Sequence, residues 1–256
     1  MLNKLRSAAR NLSGNFGVIL GQYRAIRTVF TICVVVYIIQ SVAWYISFAS
    51  IFPGLTVPLA PILDRIFGLY WPLAKSGAFW QPVTYAFLHG GFWHLVLNLF
   101  SLVFLGYAVE AILGTNRFWQ LYLGSAIIGG IGWFAFDLVE PYFWQAIASL
   151  GDAGLQLAQR WGEKQSYMAN VCVGASAGVF GLMGAFAALC PNQRLTLLLF
   201  YVVPVNLQAR YVAILLVVLN IVEMLASFGR VAYMAHLFGC LAGYLYAKYL
   251  QRICNY

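Results

Sequence analysis

Apolar residues run along this chain in long continuous stretches, separated by short joints rich in polar residues, glycine or proline. A spanning helix needs about 20 predominantly apolar residues. On that ruler six segments qualify: 29–50, 93–113, 117–137, 171–190, 209–228 and 231–250. The runs do not alternate apolar with polar, so strands are not expected. The pattern predicts an all-α membrane protein, six transmembrane helices in one bundle, with no room for a second domain. Two connections are longer than the rest. Residues 51–92 hold Pro53, Pro58, Pro61, Pro72 and Pro82 with Trp71 and Trp80, a composition suited to a half-buried loop in the membrane interface. In 138–170, the stretch from Gly151 to Lys164 is polar enough for an amphipathic cap or a solvated connector.

Composition narrows the class. With 62% hydrophobic and 9% charged residues, the chain lacks the roughly 25% charged residues of a soluble domain. The net charge of +8 reads as topology. With the N-terminus cytoplasmic, Lys4, Arg6, Arg10, Arg24, Arg27, Arg117, Arg194, Arg210, Lys248 and Arg252 lie inside, against Arg65, Lys75, Arg160, Lys164 and Arg230 outside. That excess puts both termini in the cytoplasm and argues against a nucleic-acid partner. The expected organisation is a basic N-terminal segment, 1–28, a membrane domain, 29–250, and a short tail, 251–256. Residues 1–27 lack a compact apolar core before a cleavage site, so the first span is expected to be its own insertion signal. The five cysteines are scattered and form no Cys-x-x-Cys or Cys/His cluster. Neither disulfides, metal nor cofactor is expected.

Polar groups inside the spans are the candidates for chemistry, because they are costly there. Gly174-Ala175-Ser176-Ala177-Gly178 opens the fourth span, and Ala235-His236-Leu237-Phe238-Gly239 opens the sixth. His94 and Asn98 lie one helical turn apart near the start of the second. With the predicted topology, all four side chains sit roughly 7–10 Å below the outer boundary. Helix formation does not demand that agreement, which argues for one shared site. Gly174-x-x-x-Gly178 and Gly239-x-x-x-Gly243 are small-residue faces that let helices approach closely. A Ser176–His236 hydrogen bond is then sterically reasonable, with His94, Asn98 and the Ser176 amide as hydrogen-bond donors to a developing oxyanion. On the fifth span, Asn220 and Glu223 could line a water path or a lateral gate, and Glu223 could equally be solvated at the interface.

The order and spacing of Phe79-Trp80-Gln81-Pro82-Val83-Thr84-Tyr85-Ala86-Phe87-Leu88-His89, His94-Leu95-Val96-Leu97-Asn98, Gly174-Ala175-Ser176 and Ala235-His236 with Gly239 and Gly243 resemble the rhomboid family of intramembrane serine proteases. The resemblance implies a rhomboid-like bundle with a long interfacial first loop. It implies Ser176 as nucleophile, His236 as general base, and His94, Asn98 and the Ser176 amide as the oxyanion hole. Phe180 would pack against the imidazole, with Gly174 and Gly239 lining the site, and Glu110 and Arg117 would resemble a structural ion-pair region. Expected partners are transmembrane protein substrates and the lipid bilayer of a bacterial-type plasma membrane; a monomer suffices for this chemistry. The chain departs from the family pattern at Ala177, where glycine usually follows the serine and a methyl group would narrow the site or shift packing. It departs again at Gln81, where the loop pair usually reads tryptophan-arginine. Two other classes fit parts of the pattern. A non-proteolytic rhomboid-like protein that binds membrane clients would normally have lost the serine or histidine. A small-solute channel or transporter would suit six helices, but no inverted repeat relates 29–137 to 171–250.

Overall fold

The computed structural model describes residues 20–45, 59–167, 171–199, 203–226 and 232–254. It is mostly helical. The six longest apolar elements are α1 (Arg24–Tyr45), α5 (Phe92–Leu113), α6 (Thr115–Ala148), α8 (Ser176–Leu189), α9 (Ala209–Leu225) and α10 (Tyr233–Cys254). Of these, α1, α5 and α6 are long and apolar enough to cross a membrane by length and composition alone. α8 is apolar but spans only 14 residues, about 21 Å at the helical rise. Every α8 residue except Ser176 and Phe180 is buried, as expected of a helix that is hydrophobic all round. It is therefore the central post of the bundle, with α5, α6, α9 and α10 against it.

Small residues bring the helices around this post. On α10, Gly239 sits on the backbone of Ala177, and Gly243 on that of Gly181. A side chain at either glycine would collide with main chain that has nowhere to go, so the crossing depends on bare backbone. The methyl group of Ala177 is fully buried with Leu69, Tyr85, Ala126, Cys172 and Ala235 and meets α6 at Gly129. The departure from glycine after Ser176 is thus accommodated by packing between helices.

At the opposite end of the bundle, the buried carboxylate of Glu110 accepts hydrogen bonds from the Ala25 and Ile26 amides, at 3.0 and 3.1 Å, and from the Thr115 hydroxyl at 2.8 Å. An anion satisfying the free N–H groups of a helix start is favourable by both hydrogen bonding and dipole. Glu110 thereby ties α5 to the first turn of α1 and, through Thr115, to α6.

The described part of the first loop is folded tightly. It contains α2 (Leu59–Phe67), β1 (Leu69–Tyr70), α3 (Trp71–Lys75), α4 (Gln81–Thr84) and a 3-10 turn at Tyr85–Phe87. Gln81 is fully buried. Its Oε1 accepts from the Tyr70 amide at 3.0 Å, and its Nε2 donates to the Arg65 and Ile66 carbonyls at 2.9 and 3.3 Å. The residue that replaces arginine is therefore an internal stitch of the loop, a role open to an uncharged amide that both donates and accepts. Strand β1 pairs antiparallel with β2 (Val171–Cys172), Leu69 opposite Cys172 and Tyr70 opposite Val171. This two-residue ladder docks the first loop onto the segment that leads into α8.

Several boundaries and one element class differ from expectation. The first span starts five residues earlier, at Arg24, and its expected end, 46–50, lies outside the described residues, as do 51–58 of the loop. The third helix does not stop at residue 137 but continues through Pro141 to Ala148. Asp137, Glu140 and Pro141 interrupt the apolar run without interrupting the helix, since Leu138, Val139, Phe143 and Trp144 carry it on. A further helix, α7 (Asp152–Tyr167), fills most of the remaining 138–170 connection. Strands also occur: besides β1 and β2, the joint between α8 and α9 is a hairpin of β3 (Arg194–Leu199) and β4 (Val203–Gln208). Thr196 faces Asn206 across it, hydroxyl to Oδ1, at 2.7 Å. A ladder of only six residues is too short to register in a pattern read over whole spans.

Candidate active site

Ser176 is the first residue of α8, not five residues inside a helix as the apolar run suggested. Residues 171–175 are strand and irregular backbone. Gly174 has φ +139°, a conformation that favours glycine, and its N–H donates to the Tyr85 carbonyl at 2.9 Å. Gly174 and Gly178 therefore do not share a helix face; Gly178 instead lies under the Tyr122 ring. At a helix start, the first amides have no partner within the helix and carry partial positive charge, so the Ser176 hydroxyl sits among unpaired donors.

Across the crossing of α8 and α10, His236 Nε2 is 2.7 Å from Ser176 Oγ. Phe180, one turn after Ser176, stacks on the imidazole with ring centroids 4.3 Å apart and planes 5° from parallel. The other ring nitrogen, Nδ1, is 3.1 Å from Asn220 Oδ1 on α9. Asn220 Nδ2 in turn donates to the Tyr233 carbonyl, in the first turn of α10, at 2.8 Å. Gly239, one turn after His236, provides the close contact with Ala177 that brings the imidazole within reach of the serine.

Helix α5 supplies the facing wall. The Gly90 amide donates to His94 Nδ1 at 3.3 Å, so in the neutral ring Nε2 carries the proton. A side-chain carbon at Gly174 would lie 2.9 Å from that Nε2 and 3.4 Å from Ser176 Oγ. The absent side chain leaves room between a donor and a hydroxyl for one reacting atom, the arrangement acyl transfer requires. Asn98 is buried on the same face as His94, and its Nδ2 donates to the His94 carbonyl at 2.8 Å. It joins the site through His94.

Beside this wall, His89 is buried in the loop before α5, its ring 5.3 Å from that of His94. Its amide donates to Gln40 Oε1 at 3.0 Å, and Gln40 Nε2 donates to Asp64 at 2.7 Å, joining α1, α2 and the loop. Burial, with a smaller contribution from the neighbouring His94 and partial opposition from the Phe87 backbone, pushes the His89 imidazole down to about 3. Burial raises the Asp64 carboxyl, and the Gln40 hydrogen bond partly offsets that rise.

The site thus gathers Ser176, His236, Phe180, Gly174, Gly239 and His94. Glu223 is exposed, two residues from the end of α9. Asn220, a candidate for lining a water path or gate, hydrogen-bonds to the imidazole. A buried amide in an apolar helix signals a partner, but the pattern does not say which.

The fold is that of a helical integral membrane protein, with Ser176 and His236 in hydrogen-bond contact across two of its helices. A family model described as "Rhomboid domain" matches residues 76–253, and the chain belongs to the rhomboid family. It is 29% identical over 231 residues to "Rhomboid protein 1, mitochondrial" of Saccharomyces cerevisiae, covering 84% of this chain and 59% of that protein. It is 31% identical over 173 residues to "Putative rhomboid protease YdcA" of Bacillus subtilis, covering 66% of each. It is also 32% identical over 108 residues to "Inactive RHOMBOID-like protein 8" of Arabidopsis thaliana, covering 41% of this chain and 31% of that protein. The chain therefore spans less than two thirds of the length of these relatives.

Proposed function

We propose that this protein is an intramembrane serine endopeptidase that cleaves single-span membrane proteins near the outer membrane boundary. The observation that carries the reading is the 2.7 Å contact between Ser176 Oγ and His236 Nε2, beside a donor-lined gap. His236 takes the serine proton as Oγ attacks a peptide carbonyl. The tetrahedral oxyanion occupies the space beside Gly174, where His94 Nε2–H, the Ser176 amide and Asn98 stabilise it. The imidazolium then protonates the leaving amine, and water, activated by the same imidazole, releases the acyl group. A helical substrate must unwind locally to expose its carbonyl, which favours glycine, serine or proline near the outer end of its span.

The proposed architecture has six spans within a membrane domain of 29–250 and both termini in the cytoplasm. The excess of inside basic residues supports that orientation. The proposed membrane is a bacterial-type plasma membrane; one relative is bacterial and another is named mitochondrial. A relative named inactive gives weight to a second reading, a rhomboid-like protein that holds membrane clients without cleaving them.

One comparison separates the two. Purified protein in liposomes is given a single-span reporter, alongside Ser176→Ala and His236→Ala at matched folding. Cleavage in the parent alone, with a new terminus near the outer boundary, supports the protease. Retention of the reporter by all three, without cleavage, overturns it in favour of client binding.

A further inference from the structure

We infer that Asn220 is a positioning residue that fixes which nitrogen of His236 faces Ser176, so that the active pair is the reading end of a four-group hydrogen-bond chain. The inference rests on the protease reading for its catalytic meaning, but the chain stands on geometry alone.

The direction of the chain follows from its last member. The Tyr233 carbonyl is only an acceptor, so the Asn220 atom 2.8 Å from it must be the amide nitrogen. That orientation cannot be reversed, because a flipped amide would set oxygen against oxygen. Asn220 Oδ1 must then face His236 Nδ1 at 3.1 Å, and an amide oxygen there demands a proton on Nδ1. In a neutral imidazole, a proton on Nδ1 leaves the lone pair on Nε2, 2.7 Å from Ser176 Oγ. Serine becomes the donor and histidine the acceptor, the polarity that general-base catalysis needs. Without the amide, the ring is free to protonate Nε2 instead and loses its function as a base toward the serine. Wrong-tautomer loss of this kind is the reason an orienting residue matters in serine proteases.

The location of Asn220 adds a second consequence. Buried residues of α9 are few: Ala209, Val212, Asn220 and Met224. Tyr211, Ile214, Leu215, Val218, Leu219, Ile221 and Val222 are exposed. Asn220 is thus the buried polar anchor of a helix that is largely exposed. Any displacement of α9 from α10 separates Oδ1 from Nδ1, which makes dyad competence depend on where α9 stands.

The test uses the full chain in lipid nanodiscs with 15N-labelled histidine. The His236 signals are assigned by loss in His236→Ala, and the readouts are the tautomer and the kinetics of reporter cleavage. Asn220→Leu keeps the volume and removes the acceptor; Asn220→Asp, read at a pH where its buried carboxyl is protonated, donates its O–H to the Tyr233 carbonyl and restores an acceptor for Nδ1. In the parent, Nδ1 is expected to hold the proton. In Asn220→Leu the population shifts toward Nε2–H, and kcat falls about 10- to 100-fold with KM changed less than threefold. Asn220→Asp is expected to return the Nδ1–H form and to recover kcat to within about tenfold of the parent. A parent with its proton mainly on Nε2 overturns the inference, whatever the variants do. So does an Asn220→Leu protein with parental tautomer and kcat within threefold. Failure of the protease reading is distinguishable, since the tautomer can be read in a protein that cleaves nothing.

Discussion

Replacing Gly174 with alanine separates two things one residue does. The position has φ +139°, and a β-carbon there would stand 2.8 Å from His94 Cε1 and 2.9 Å from Nε2, against 3.4 Å from Ser176 Oγ. The imidazole is held by the Gly90 amide, so it must move or the backbone must. Strain from a side chain in this backbone region costs of the order of 1–3 kcal/mol. The methyl group would also fill the gap proposed for the oxyanion and push its donor away, an effect of about 10²–10³ in kcat when one such donor is lost. Gly77→Ala is the control: φ is +97° there, but nothing lies within 4 Å of the added carbon. Both variants should melt at a lower temperature in detergent, Gly174→Ala by more because of its added clash with His94. Only Gly174→Ala should lose reporter cleavage and labelling of Ser176 by a fluorophosphonate. Gly174→Ala with kcat within threefold of the parent would refute the placement of the oxyanion.

Three further expectations follow from contacts away from the serine. Glu110→Ala removes the acceptor of the Ala25 and Ile26 amides, and leaving each buried donor unpaired costs about 1–3 kcal/mol; an unchanged denaturation midpoint would sink that account. Gln81→Leu strands the Tyr70 amide and the Arg65 carbonyl, so protease nicking of the 59–91 loop should speed up and cleavage of the reporter should slow. Last, the folded chain keeps His89 neutral down to about pH 3, whereas the unfolded chain takes up the proton near 6.5. Stability from this group is therefore complete above pH 6.5 and declines by about 1.4 kcal/mol per unit as the pH falls from there toward 3. His89→Leu should flatten that slope in a pH series of melts; identical slopes in the two proteins would contradict the assignment.

What could be read from the chain alone depended on the range of the forces involved. Long apolar runs report burial in lipid residue by residue, so the helices of the bundle were legible, and so were polar residues that stood out against them. Glycines at four-residue spacing marked the α8–α10 crossing through Gly239 and Gly243. Hydrogen bonds between distant segments leave no such trace. The apolar run around 171–175 concealed a break at Gly174, because hydropathy does not sense a ladder between Leu69 and Cys172 or a carbonyl at Tyr85. Gln81 looked like a lost charge until its amide was found against Tyr70, Arg65 and Ile66. Asn220 was visible as an anomaly, but its partners are a ring 16 residues away and a carbonyl 13 away, and pattern does not choose among candidates at similar depth.

The groups running from Ser176 to the Tyr233 carbonyl are a hydroxyl, an imidazole, an amide and a peptide oxygen, with no carboxylate among them. Drawn with the polarity argued above, every one is electrically neutral at rest. A formal ion is expensive to hold in hydrocarbon, and this assembly enters and rests in the bilayer without one. In the proposed reaction charge arises only as a pair, imidazolium and oxyanion, a few ångströms apart and for the lifetime of the tetrahedral species. The terminal carbonyl cannot take a proton onward, so the one received from serine has a single exit, the departing amine. The hydrogen-bond chain thus works as a dead-end wire, and the bilayer never has to accommodate a lone charge.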